Sequence, residues 1–373
     1  MDRPEDKDVA EFEAARLTVR LGAVVSNFRT IARLAGPAAV AGVVKADAYG
    51  LGLAPVAHSL IQAGCDTFFV ARLQEGIALR RHAPEARVFV LDGAEPDAVP
   101  ALLSHRLTPV LNSLAQVAGW SAAARATRSA LDAAIHADSG MNRLGMPISE
   151  LALLSAESRT RLDGVRVVLV MSHLACADDP DSAMNRMQLD RFKTALQILP
   201  AAPASLAATG GVLLGKDYHF DMVRPGLGLY GGNPRASGPN PFVVTARLTA
   251  RILQLRRVDK GESVGYGATF IAKRPSVLAT AGLGYADGLM RVISNHGAGA
   301  INGVRAPVAG RVSMDLVTLD VTDVPGRIAT GMDVEFAGDT ITLEELARAA
   351  GTANYEILTS LSRRAERHYE AAP

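Results

Sequence analysis

Between residues 40 and 225, short apolar runs rich in β-branched and aromatic residues alternate with amphipathic stretches of helical period. Strands covered on both faces read as unbroken apolar runs, and here they recur with a helix's worth of chain between them. The candidate strands are Val40–Val44, Thr67–Ala71, Arg87–Asp92, Leu107–Leu111, Ala130–His136, Val165–Met171, Ala204–Ala207 and Met222–Arg224. Helices are expected at Pro55–Ala63, Leu73–Arg81 and Arg186–Gln197. The first of these opens on a proline, whose missing N–H costs nothing in a first turn. Eight βα units predict an α/β fold of the (β/α)8 TIM-barrel type, with function at the carboxyl ends of the strands.

The pattern changes after Tyr230, where Gly231-Gly-Asn-Pro-Arg-Ala-Ser-Gly-Pro-Asn-Pro241 forms a turn-rich break. Beyond it the chain reads as short β runs, Val243–Leu255, Ser276–Ala281, Val304–Val308 and Leu316–Val321, separated by Gly, Asp and Asn. One helix is expected at Leu343–Ala350, with Thr342 as its cap and Glu344 and Glu345 in its first turn. The expected organisation is a flexible tail over 1–12, a barrel over 13–240 and a mostly-β domain over 241–373. The alternating segment Arg16–Val19 is a candidate strand of that second domain.

Composition narrows the partners. Lys plus Arg number 39 against 38 for Asp plus Glu, so no basic or acidic surplus points to nucleic acid or a membrane surface. No apolar run is long enough to span a bilayer, and the charged start lacks the apolar core of a signal peptide. Cys65 and Cys176 are too few for a disulfide framework or a metal site, which fits a reducing compartment. The expectation is a cytoplasmic protein with a small-molecule partner and no metal.

Strong polar residues gather at the predicted strand ends. Lys45 follows the first strand in Ala41-Gly-Val-Val-Lys-Ala-Asp-Ala-Tyr-Gly50. A lysine there could snorkel to solvent; desolvated in a barrel mouth, it would instead become a nucleophile for a carbonyl. Tyr49 lies four residues on, His136 through Arg143 follow the fifth strand, and Ser172 and His173 the sixth. Thr209-Gly-Gly and Arg224-Pro-Gly-Leu-Gly-Leu-Tyr230 follow the last two. Glycine pairs alone are ordinary turns, but N–H groups free of Cβ atoms after those strands also suit a phosphate. An amine, a phosphate cradle and an arginine in one mouth are what pyridoxal 5'-phosphate requires.

Three motifs in the second domain make a resemblance specific: Val264-Gly-Tyr-Gly-Ala-Thr-Phe270, Gly284-Tyr-Ala-Asp-Gly-Leu-Met-Arg291 and Gly310-Arg-Val-Ser-Met-Asp315. With the Lys45 and Arg224 segments, and in order over nearly the whole chain, the set resembles alanine racemase. The resemblance implies interconversion of L- and D-alanine on pyridoxal 5'-phosphate, for peptidoglycan or for alanine catabolism, by a homodimer whose active sites are shared. It implies that Lys45 forms the aldimine and serves as one base, with Tyr266 of the partner subunit as the other. Arg224 would bond the cofactor's ring nitrogen and keep it unprotonated, beside His173. Tyr49, Thr209, Gly226, Leu227 and Tyr355 would hold the phosphate. Arg143 and the partner's Met314 would meet the substrate carboxylate, with Tyr285, Arg291, Arg311 and Asp178 at the entrance.

The chain departs from the family pattern at four places. His136 stands where many members carry a carbamylated lysine that braces the arginine matching Arg143. Thr209 keeps a hydroxyl at the phosphate turn but its neighbour Ala208 lacks the usual amide, and Leu51 and Ser313 replace a common histidine and cysteine. A pyridoxal-dependent decarboxylase on the same barrel would set an acid where Arg224 stands and draw on a cysteine beyond residue 241, which the sequence lacks. A non-catalytic carrier of the cofactor would consist of the barrel alone.

Overall fold

The computed structural model describes residues 14–235, 238–361 and 363–371, so the expected tail over 1–12 lies outside the described residues. Two compact units emerge. One holds the chain up to Ala23, Tyr230–Gly232 and the chain from Val243 onward; the other holds Val24–Leu229 and Asn233–Phe242.

The second of these is the barrel. After β1 (Ala15–Arg20), its strands are β2 (Ala39–Val40), β3 (Gly42–Val43), β4 (Thr67–Val70), β5 (Arg87–Val90), β6 (Thr108–Leu111), β7 (Leu131–His136), β8 (Val165–Met171), β9 (Ala204–Ser205) and β10 (Met222–Val223). Strands β3 to β9 pair in parallel in chain order, and β10 pairs in parallel with β2. The amides of Asp221 and Arg224 bond to the carbonyls of Ala204 and Ala207 at 3.0 and 2.8 Å, while Ala41 and Val43 donate to Val223 and Pro225 at 2.9 and 3.0 Å. Those four bonds close the ring. The run read as one strand, Val40–Val44, is therefore two pieces, because its first half bonds to the eighth strand and its second half to β4. Phe69 and Phe89 lie inside the ring, stacked at 4.7 Å, while Phe68, on the opposite face of β4, is buried with Leu60 of the covering helix beside Gly42. The helix Leu21–Ala35 buries Val24, Val25, Phe28, Ile31 and Ala35, a one-sided stripe at helical spacing.

The other unit is mostly β. Strand β1 lies between β11 (Ala246–Val258), to which it is antiparallel, and a carboxyl-terminal strand, Glu366–Glu370, to which it is parallel. The segment Arg16–Val19 thus pairs within this unit. The long β11 also pairs with Ser276–Ala281 and Asp333–Ala337, which spreads one sheet around it. Helix Leu343–Ala350 has the expected bounds, and the Thr342 hydroxyl accepts from the Glu345 amide as its cap.

Candidate active site

Immediately after β3 the backbone enters a region that L residues avoid. Ala46, Asp47, Ala48 and Tyr49 all have φ between 53° and 55°, each at a cost of roughly 1–2 kcal/mol. Such a turn persists only where its surroundings over-determine it. Ala48 N donates to Val44 O at 3.0 Å, Gly50 N to Ala46 O at 2.8 Å and Gly52 N to Asp47 O at 2.9 Å. The Asp47 carboxylate accepts from Leu53 N at 2.8 Å, and the Glu75 carboxylate accepts from Ala46 N at 2.6 Å. The result sets Lys45 and Tyr49 at the barrel mouth. Burial, and then the Arg143 cation, lower the Lys45 ammonium below the ordinary lysine range, against the opposing pull of Glu75 and Asp92. More of it is free amine at neutral pH.

Tyr49 is buried, and a Cβ on Gly226 would lie 2.2 Å from its phenolic oxygen. Only glycine fits that bed. Thr209 Oγ1 accepts from Gly226 N and Gly228 N at 3.2 and 3.1 Å, which joins the turns after β9 and β10. The buried N–H groups of Gly210 and Leu227 have no hydrogen-bond acceptor among the described residues. Buried backbone donors without partners are rare, and two of them beside a glycine bed fit an anionic group such as a phosphate.

Arg224 is 3 % exposed and has no carboxylate partner among the described residues. Its guanidinium donates to Ser205 Oγ and, at 2.6 Å, to the Ser172 carbonyl, and lies 5.8 Å from the centre of the Phe69 ring. Burial lowers it to about 9, so it remains a cation at neutral pH. Near it, burial followed by the Arg224 charge pushes His173 down to about 3, which leaves the imidazole neutral. Gln188, fully buried, brackets that loop: its Nε2 donates to the His173 carbonyl at 2.9 Å and to Ser139 Oγ at 3.2 Å, and its Oε1 accepts from Ala175 N at 2.7 Å.

The place of the family's carbamylated lysine is filled differently. His136 Nδ1 lies 2.7 Å from Asn112 Oδ1. The Asn112 amide already donates to the carbonyls of Leu91 and Val110, so the imidazole is the donor. Burial and the Arg224 cation lower His136 to about 4, leaving it neutral. Arg143 is exposed and makes no side-chain hydrogen bond among the described residues. Its loop is braced from behind by Asp138, whose Oδ1 accepts from the amides of Gly140, Met141 and Asn142 at 2.9, 2.9 and 3.2 Å.

In the other unit, Tyr266 opens the turn Tyr266–Ala268 and is 71 % exposed. A Cβ on Gly267 would meet the Arg311 guanidinium at 2.8 Å, so the Tyr266 turn packs on Arg311. Tyr285 N donates to Ser313 O and Ala286 N to Met314 O, both at 3.0 Å. Arg364 locks these turns with a two-pronged bond to Asp287 at 2.6 and 2.7 Å and a third to Asp315 at 2.6 Å. Arg291 is exposed on the turn Arg291–Ile293, and Tyr355 is 44 % exposed on the helix Asn354–Ser360. Asp178 is exposed on the barrel loop after β8.

The structure thus brings Lys45, Tyr49, Arg143, His173, Thr209, Arg224, Gly226 and Leu227 to one end of the barrel, and in the other unit joins the turn of Tyr266 to Arg311 and the turn of Tyr285 to the segment of Ser313 and Met314. Glu75, Asn112, Gln188, Ser205 and Arg364 are supporting residues that no sequence motif singles out, while Asp138 lies within the run His136–Arg143. For Glu75 the available signal was an acid at the third position of a predicted helix. For Gln188 it was an amide on the buried side of one. Among the described residues no group of His, Cys, Asp and Glu is placed to hold a metal, and no helix is long and apolar enough to cross a membrane.

Comparison with known proteins agrees over nearly the full length. Residues 19–234 match the family description "Alanine racemase, N-terminal domain" and residues 245–369 "Alanine racemase, C-terminal domain". The chain is 48 % identical to "Alanine racemase, catabolic" of Agrobacterium fabrum, over 95 % of this chain and 92 % of the relative. It is 45 % identical to "Alanine racemase, biosynthetic" of the same organism, over 98 % and 97 %. Among solved structures, alanine racemase from Bartonella henselae with covalently bound pyridoxal phosphate is similar at a TM-score of 0.92 and 37 % identity, covering 96 % of this chain and all of that one.

Proposed function

Because this chain belongs to the alanine racemase family, we propose that it is a pyridoxal 5'-phosphate-dependent isomerase interconverting L- and D-alanine. The observation that carries the reading is Lys45, a desolvated amine on a braced turn, facing a cation cluster and a glycine bed with unpartnered amides. The bound cofactor supplies an electron-withdrawing ring that acidifies the α-carbon of an amino acid joined to it.

The protein's own groups do the rest. Lys45 Nζ would hold the cofactor and would carry the α-proton on one face. Tyr266 Oη of the partner subunit carries it on the other. Inversion of a planar centre needs a proton carrier on each side, which one group cannot supply without moving across it. Arg224, a cation at neutral pH, would donate to the ring nitrogen and keep that nitrogen from taking a proton. A weaker electron sink favours prompt return of the α-proton over side reactions. Neutral His173 would lie beside the ring. Tyr49, Thr209, Gly226, Leu227 and Tyr355 would hold the phosphate, and Arg143 with the partner's Met314 amide would orient the substrate carboxylate. Tyr285, Arg291, Arg311 and Asp178 line the entrance, and their bulk suits a short side chain. The assembly is a homodimer with shared sites, and its place is the cytoplasm, in D-alanine supply or alanine breakdown.

Purified protein supplied with pyridoxal 5'-phosphate and either enantiomer of alanine should run to an equal mixture of both, since enantiomers have equal free energy. Chiral chromatography reads the result. Release of carbon dioxide, or recovery of unchanged alanine without exchange of its α-proton, would overturn the proposal.

Because His136 is neutral and committed to Asn112, no carbamate is needed to hold this part of the site. Rates in degassed buffer and in bicarbonate-supplemented buffer, at fixed pH and ionic strength, should be indistinguishable. A loss on degassing that bicarbonate restores would show that another amine has taken that role.

A further inference from the structure

The four left-handed residues after Lys45 contain no glycine, so the turn is held by its contacts and not by its composition. One contact comes from another barrel unit. Glu75, in the helix Leu73–Arg80 that follows β4, accepts from Ala71 N and Arg72 N through Oε2 at 2.8 and 3.0 Å. An acid at the third position of a helix commonly closes back on the preceding amides in this way. Its other oxygen does something such a cap does not require: Oε1 accepts from Ala46 N at 2.6 Å, the residue next to Lys45. A single carboxylate therefore binds three backbone amides from the loops after two adjacent strands. Among the described residues, no hydrogen-bonded cation competes for it.

We infer that Glu75 is a positioning residue for the cofactor-bearing amine, clamping the left-handed turn so that Lys45 and Tyr49 are both presented at the barrel mouth. The inference rests on Lys45 being the residue that carries the cofactor. Glu75 touches neither substrate nor cofactor; it acts through the Ala46 amide. Without the clamp, the four strained residues can relax toward ordinary backbone angles, which swings Lys45 and Tyr49 away from the Gly226 bed together. Loss of position should therefore appear first as poorer cofactor binding and slower turnover, with substrate recognition by Arg143 little changed.

The test begins with Glu75→Gln, which keeps the shape but turns one acceptor oxygen into an N–H group facing a backbone N–H. In the cofactor-free protein, hydrogen exchange over residues 44–53 should rise while the barrel strands stay protected. The dissociation constant for pyridoxal 5'-phosphate should weaken about tenfold, as expected for one lost charge-assisted bond. In the loaded enzyme kcat should fall by about tenfold with KM for alanine changed less than about twofold. Adding Ala46→Gly, which adopts a positive φ without strain, should recover much of the protection and of the cofactor affinity. A role confined to capping its own helix would lower the melting temperature and would not be relieved at residue 46.

A folded Glu75→Gln protein with wild-type exchange over 44–53 and wild-type cofactor affinity overturns the inference. If that variant does not fold, Glu75→Asp serves, because the shorter carboxylate cannot span both loops; weakened cofactor binding then supports the clamp and wild-type binding overturns it. The exchange measurement needs neither cofactor nor alanine. Failure of the wild-type protein to racemise alanine would thus count against the proposed function, while the clamp would stand or fall on the exchange data.

Discussion

Replacing Lys45 with alanine should lower alanine racemisation by about four orders of magnitude or more, because on the proposed mechanism one substitution removes both the covalent tether of the cofactor and one of two proton carriers. The other lysines of the barrel unit offer no substitute. Lys193 lies exposed on the helix Ala183–Ile198, and Lys216 is exposed on the turn Lys216–Tyr218. Lys45 differs in being held half-buried at a strand end, where burial and Arg143 both favour the free amine. Borohydride reduction of the loaded wild-type protein, followed by peptide mapping, should fix the cofactor on the peptide containing Lys45, and the same treatment of the variant should fix none. A reduced adduct on Lys193 or Lys216 would remove Lys45 from its assigned role.

The barrel was legible because its strands are covered on both faces and so are written as unbroken apolar runs. Thr67–Val70, buried throughout, is an example that begins where the pattern begins. The break of Val40–Val44 into two pieces was not legible, since it depends on which neighbour each half bonds to. The Lys45 turn was hidden for a sharper reason. Ala-Asp-Ala-Tyr carries little preference for positive φ, and the contacts that hold it there include the carboxylate of distant Glu75. Sequence motifs do show Lys45, Arg224 and the glycine turns, because each alone has an ordinary use but together at the strand ends of one barrel they form a pattern.

Supporting residues are less visible. Asn112 and His136 lie twenty-four positions apart and meet only because their strands are neighbours. Arg364 reaches back to Asp287 and Asp315 across more than forty residues, so no local spacing announces the lock it forms. The substitution at His136 could be seen in the sequence, but its consequence could not. The structure shows a neutral donor tied to Asn112, with the loop of Arg143 braced separately by Asp138.

The second large effect concerns the sharing of the site between subunits, which is also the central claim of the mechanism. Tyr266→Phe should cost about two to four orders of magnitude, since it removes a single proton carrier and leaves the cofactor bound. Because the enantiomers have equal free energy, kcat/KM must fall by the same factor in both directions. Homodimers of Lys45→Ala and of Tyr266→Phe are then both severely impaired. Their heterodimer is not. By the twofold symmetry of a shared interface, one of its sites collects both lesions and the other collects intact Lys45 with intact Tyr266. The decisive measurement is alanine racemisation by heterodimers made by subunit exchange between differently tagged variants and purified through both tags. The two-subunit mechanism predicts about half of wild-type activity per dimer; heterodimers as inactive as their parents would contradict it.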